Sequence, residues 1–143
     1  MVPVVHPVEV LRGGEHIAAE IHQRTSQESP DRAQACLLTL VVEGKQFGAS
    51  GRDFFEALVS IRRLLEPMGL LLNIYGSSRN VWPSGMARDM GQGLRCYKLT
   101  LGSKPSLQDL VDIFTTGPDV VPVTVAEQEA FVQRWLNSIG IAP

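Results

Sequence analysis

The pattern of hydrophobic and polar positions changes its period several times along this chain, and each change marks a predicted element. The stretch "CLLTLVVEG", which begins at Cys36, is short, apolar and rich in β-branched residues, so it predicts a strand ending at the Glu43-Gly44 turn. After this turn, "KQFGASG" predicts the second strand of a hairpin. In "RDFFEALVSIRRLLEPMG" the apolar residues instead recur at helical spacing, with Asp53 as a predicted N-cap and Gly69 as an end signal.

The rest of the chain predicts further strands and a second amphipathic helix. "LLLNIY" (70–75) and "LRCYKLTLG" have the composition of strands, whereas "SLQDLVDIFT" fits a strand or a short helix, and its part "LVDIF" favours a strand. Thr124 and Glu127 form a T-x-x-E capping box ahead of an apolar stripe that ends before Gly140. Residues 76–93 follow neither period, and they predict a long ordered loop.

The first part of the chain differs from the rest. In "EHIAAEIHQR", Ile17, Ala18 and Ile21 stand at helical spacing, which predicts a short helix near 14–24 within an N-terminal arm, residues 1–35. The polar stretch "TSQESPDRAQ" then separates this arm from a single domain, residues 36–143. The predicted core order of that domain is β-β-α-β-β-β-α. Two amphipathic helices against one mostly antiparallel sheet make a two-layer α+β fold.

Composition excludes several classes of protein. With 44% hydrophobic and 20% charged residues, the chain of 143 residues is typical of a globular domain. Its net charge of −2 argues against general nucleic-acid binding, and no apolar run reaches the roughly 20 residues of a membrane span. The N-terminus lacks the features of a signal peptide, so a cytoplasmic protein with reduced, buried Cys36 and Cys96 is predicted.

Candidate chemistry is sparse. The three histidines, His6, His16 and His22, all lie in the predicted arm, and no cysteine pair has metal-binding spacing, so no metal site and no cofactor are predicted. "GQG" (91–93) precedes a strand, whereas phosphate-binding loops precede a helix, so a phosphate-binding loop is not predicted here. No histidine accompanies the serines near the loop, which argues against a hydrolase.

Side chains suited to protein contact are concentrated in and beside the loop. Aromatic residues, arginine and methionine are enriched at protein interfaces, and the candidates here are Tyr75, Trp82, Met86, Arg88 and Met90. The alternative is that the tryptophan and the methionines fill the edge of the core. Charge is also uneven, because residues 79–104 are mainly basic and residues 105–143 mainly acidic. These segments either neutralise one another or steer a partner.

The region from about residue 45 to about residue 140 resembles a group of small bacterial proteins that share the string W-P-S-G-M-A-R-D-M-G-x-G. The string carries no assigned chemistry. In type, a small stand-alone α+β chain of this kind is similar to the immunity proteins of bacterial toxin systems. That resemblance implies a cognate protein partner, such as a secreted toxin domain.

Three hypotheses about function follow. The first is a protein-binding module, an immunity protein that neutralises its toxin by stoichiometric masking. The second is a small enzyme or an anion- or nucleotide-binding module, in which Arg79, Arg88 and Arg95 grip a phosphate or carboxylate and Asp89 serves as the general base. The third is a homo-oligomer that assembles through an uncovered sheet face.

Overall fold

The computed structural model describes residues 3–26 and 35–141. Its first half is built from two β-hairpins followed by a helix. The strands are β1 (Val4–Arg12), β2 (Glu15–Ser26), β3 (Ala35–Val42) and β4 (Lys45–Gly51), and the helix is α1 (Phe54–Leu65). The turn between β3 and β4 consists of two residues with positive φ, Glu43 and Gly44, as a tight hairpin requires.

A five-stranded antiparallel sheet forms the largest part of the molecule. Its strand order is β4-β3-β2-β1-β5, where β5 is the short strand Leu70–Leu72. Alternate side chains of these strands face α1 and are fully buried, among them Val10, Ile21, Leu38, Leu40 and Leu72. On the opposite face, Glu9, Ala18 and Glu20 are exposed. The hydrophobic core therefore lies between one face of this sheet and α1.

A smaller antiparallel sheet and two helices complete the fold. The sheet has the order β6-β7-β8, and its strands are β6 (Val81–Trp82), β7 (Arg95–Lys98) and β8 (Leu110–Asp112). The helices are α2 (Gly85–Gly91) and α3 (Val125–Ser138). Short 3-10 turns occupy Glu66–Met68, Tyr75–Ser77 and Leu107–Asp109. A second hydrophobic cluster contains Leu99, Phe131 and Val132.

Local capping signals set the ends of the two longer helices, and both helix predictions are confirmed. The Asp53 carboxylate accepts a hydrogen bond of 2.7 Å from the Glu56 backbone N–H at the start of α1. Before α3, Thr124 and Glu127 form the reciprocal capping box that the sequence predicts.

Within the described residues, none of the helices is long and apolar enough to span a bilayer.

The α+β class with antiparallel sheets is confirmed, and so are the hairpin after residue 35 and the strands in "LRCYKLTLG" and "LVDIF". The prediction of a single sheet is wrong, because β6, β7 and β8 form a separate one. The strand predicted over 70–75 is limited to β5, since the chain turns at Tyr75–Ser77.

The predicted helix near 14–24 is wrong. Residues 15–24 belong to β2, which pairs with β1 on one side and with β3 on the other. Ala19 and Ile21 are buried at strand spacing, so pairing with distant residues prevails over the local helical spacing. The described part of the predicted arm, residues 3–26, is also not separate from the main fold, because β1 and β2 lie inside the main sheet. The polar break predicted at 25–34 falls mostly outside the described residues.

Candidate functional site

The segment predicted as the loop 76–93 contains β6 and α2, so that prediction is corrected. Ser84 begins α2 as its N-cap, since its hydroxyl accepts a 3.0 Å hydrogen bond from the Ala87 N–H. Met86 and Met90 are one helical turn apart, and their exposed fractions are 72% and 82%. The segment therefore presents two large apolar side chains to solvent on one side of a short capped helix.

Arg88 anchors α2 to the body of the protein. Its guanidinium lies 3.4 Å from an Asp53 carboxylate oxygen and stacks over the rings of Phe55 and Trp82, at 5.1 and 5.7 Å from their centroids. Asp53 is itself buried and caps α1, so one carboxylate joins the start of α1 to the last turn of α2. Arg88 thus holds α2 against the protein on the side of the helix opposite to Met86 and Met90.

The end of α2 is held just as closely. The Phe54 N–H donates a 2.7 Å hydrogen bond to the carbonyl of Gln92. Gly93 has a φ of 69°, and an added Cβ there would lie 2.9 Å from the Asp53 carboxylate. Only glycine fits this position without strain. The last glycine of "GQG" therefore allows the backbone to pass close to Asp53, the N-cap of α1.

Trp82 is half-buried rather than exposed. Its ring meets Phe55 edge-on, with a centroid distance of 5.1 Å and an interplanar angle of 74°. It packs against both hydrophobic clusters of the molecule. Trp82 therefore fills the space between the two parts of the core, which is the alternative interpretation that the sequence left open.

Tyr75 is also buried, with 9% of its surface exposed. Its hydroxyl donates a 2.6 Å hydrogen bond to Asp119, and Lys98 lies 2.7 Å from the other oxygen of the same carboxylate. The bond to Asp119 favours the neutral phenol and raises the pKa of Tyr75 above its ordinary value. Here a residue of the basic segment neutralises a residue of the acidic one.

Replacing Asp119 by Asn is expected to lower the melting temperature at neutral pH, with a difference from the wild-type chain that disappears in acid. Hydrogen bonds from Lys98 and Tyr75 favour the ionised carboxylate, which lowers the pKa of Asp119. A carboxyl group with a depressed folded-state pKa stabilises the fold above its unfolded-state pKa, and this contribution is lost as the pH falls through the folded-state value. Thermal unfolding of both chains between about pH 7 and about pH 2 measures the effect. An equal difference at every pH would contradict it.

A groove of about 300 Å³ runs beside the exposed side of α2. Its walls are mainly apolar, and they include Met86, Ala87, Leu94, Tyr97 and Leu110. We refer to these five residues together with Met90 as the α2 patch. Leu107, in the 3-10 turn that leads into β8, is 79% exposed. Exposed apolar surface of this kind marks interaction sites in soluble proteins.

The three arginines of the anion-binding hypothesis have different neighbours. Arg79 lies over the Phe131 ring of α3, at 5.6 Å from its centroid, and Arg88 pairs with Asp53. Arg95 stands opposite Asp112 in the pairing of β7 with β8. A polar pocket of about 230 Å³ does contain Arg88 and Asp89, but its other walls are Arg52, Asp53 and Glu56. Three carboxylates in that pocket oppose the binding of an anion.

Sequence reasoning missed a buried polar network that holds this region to α1. Arg62 is 3% exposed, and its guanidinium donates to the Gln128 side chain at 2.5 Å and to the Val123 carbonyl at 2.9 Å. Gln128, which is fully buried, donates in turn to the carbonyls of Ser78 and Val81. Burial lowers the pKa of Arg62 to about 10, so the side chain stays charged at neutral pH.

Ligands for a metal ion are not assembled in the described ranges, where no three His, Cys, Asp or Glu side chains come together. Cys36 and Cys96 are buried free thiols, as the sequence predicts, and burial raises the pKa of both.

No protein-family model and no curated protein matches this chain. Fold and site together define an α+β protein with a firmly anchored, methionine-bearing helix at its surface.

Proposed function

We propose that this protein is a protein-binding module and that the α2 patch contacts its partner. The observation that carries the proposal is the exposure of Met86 and Met90 on a helix whose opposite side is fixed by Arg88. Methionine side chains adapt to a partner's surface, while a helix fixed in advance loses little conformational entropy on binding. In this arrangement Trp82 and Arg88 support the surface, and the methionines touch the partner.

The specific form we propose is an immunity protein that masks a cognate toxin domain in a one-to-one complex. Its support is the resemblance in type and the character of the surface, since masking requires a contact surface and no catalytic group. The groove beside Met86 would receive an apolar side chain of the partner. Arg95, exposed at the edge of the groove, would select a partner with a carboxylate beside that side chain.

The double substitution Met86→Glu/Met90→Glu is expected to weaken partner binding by at least about thirtyfold, since hot-spot residues contribute about 2 kcal/mol or more. The experiment uses the purified product of the adjacent gene and titration calorimetry. Met68→Glu is the matched control, because Met68 is 46% exposed in the 3-10 turn after α1. It is expected to bind as the wild-type chain does.

Co-expression tests the masking step separately. The wild-type chain is expected to restore growth of cells that produce the toxic neighbour, and the double variant to fail at the same expression level. If the adjacent gene product does not bind, the immunity proposal is wrong. If it binds the double variant as tightly as the wild-type chain, the assignment of the contact surface to α2 is wrong.

A further inference from the structure

The outer edge of β4 offers a regular set of backbone hydrogen-bonding groups. β4 lies at one end of the five-stranded sheet, and β3 is its neighbour within the described residues. Val42 and Lys45 flank a two-residue turn, so they form a hydrogen-bonded pair. Because backbone groups alternate sides along a strand, Gln46, Gly48 and Ser50 direct their N–H and C=O groups away from β3.

The other end of the sheet is protected against strand addition. The short strand β5 covers β1 from Val10 to Arg12, and the Asn73 N–H donates to the Glu9 carbonyl at 2.9 Å. Two residues before Glu9, the backbone of Pro7 faces the same side and has no N–H to offer. Proline at such a position is a common means of blocking edge-to-edge pairing. "KQFGASG" in β4 contains no proline.

We propose that β4 pairs antiparallel with β4 of a second copy of this chain, around a two-fold axis at Gly48. The strand is complementary to itself in this register, since its first half is bulky and its second half is small. Across the axis, Phe47 faces Ala49, Gln46 faces Ser50, and Lys45 faces Gly51. The N–H and C=O groups of the three outward-directed residues all find partners.

Phe47 gains the most from this pairing. Its side chain and that of Ala49 lie on the face of the sheet that packs against α1, and both are half-buried. In the pair of copies, each phenylalanine lies over the alanine of the other and loses more of its contact with water. The axis is perpendicular to the sheet, so both α1 helices remain on one face of a continuous sheet. None of the residues of the α2 patch lies in β4.

Sedimentation velocity over a range of concentrations tests the assembly. The wild-type chain, 15.7 kDa as a monomer, is expected to shift toward twice that mass as concentration rises. Gly48→Pro removes the central outward N–H and leaves the bonds to β3 in place, so we expect a dissociation constant at least about tenfold higher. Gly48→Ala retains the N–H, and an added Cβ meets nothing closer than 3.9 Å, so it should behave as the wild-type chain does. A chain that stays monomeric at every concentration overturns the proposal.

Cysteine cross-linking tests the register. In a hydrogen-bonded antiparallel pair the Cα atoms are about 5.5 Å apart, within disulfide range, so Gly48→Cys is expected to form a covalent dimer on mild oxidation. In the Ser50→Cys variant the new cysteine faces Gln46 of the second copy, so this variant is expected to remain largely without a disulfide cross-link. The native cysteines are buried and should not cross-link. Far-UV circular dichroism checks that both variants fold. Equal cross-linking of the two variants would overturn the two-fold axis at Gly48.

Discussion

Arg62→Ala is expected to lower the free energy of unfolding by about 3 kcal/mol or more, and the melting temperature by about 10 °C. Removal of the guanidinium leaves the Gln128 side-chain oxygen and the Val123 carbonyl without these donors in the interior. Each orphaned acceptor costs about 1–3 kcal/mol, and the space left by the side chain adds a cavity term. Relief of the buried charge offsets a part of this loss.

Arg63→Ala is the matched control, because it removes the same side chain one position further along α1. Arg63 is 62% exposed and lies 3.7 Å from Glu129, so an effect within about 0.5 kcal/mol is expected. Chemical denaturation of both variants gives the comparison. If the two substitutions cost the same, the network around Arg62 does not stabilise the fold in the way its contacts indicate.

The parts of the fold that local signals determine could be predicted from the sequence. Asp53, Thr124 and Glu127 stand at the capping positions that the two long helices require, and the stripes that follow them are buried. The turn Glu43-Gly44 likewise specifies the hairpin between β3 and β4 within a few residues. In each case the residues that determine an element lie inside it or directly beside it.

Pairing over long sequence distances could not be predicted in this way. Ile17, Ala18 and Ile21 fit a helix, whereas Ile17, Ala19 and Ile21 fit a strand, and nothing local decides between the two. The decision comes from β1 and β3, which bond to both sides of β2. The same limit explains the separate small sheet, because β6 and β7 are joined across α2.

The residue types of the candidate site could be predicted from the sequence, but not which of its side chains face the core and which face solvent. The sequence offered Met86, Met90 and Arg88 as candidate contact residues, but only the pairing of Arg88 with Asp53, 35 residues away, shows which side of α2 faces the core. A signal for Arg62 was present: it stands seven positions after Phe55, on the buried stripe of α1. Arginine at such a position predicts a buried network, and its partner in α3 becomes evident only in the fold.

Gly76→Ala is expected to destabilise the protein by about 3 kcal/mol, at the upper end of overpacking effects. A Cβ at this position would lie 2.5 Å from a Leu58 methyl carbon and 3.0 Å from the Ile113 carbonyl oxygen. The turn cannot move away, because the Gly76 N–H bonds to that same carbonyl and the Gly76 carbonyl accepts from Arg62 and Gln128. The substitution therefore strains α1, the turn and the segment after β8 together.

Gly85→Ala provides the opposite case in the same region. An added Cβ at Gly85 meets nothing within 4 Å, and the residue opens α2, so a stabilisation of up to about 1 kcal/mol is expected. Equilibrium unfolding in urea, with the midpoint and slope fitted separately, compares the two variants. If Gly76→Ala unfolds at the wild-type midpoint, the turn accommodates the added methyl group without strain. The inference that this turn is held rigidly between α1 and the segment after β8 would then be wrong.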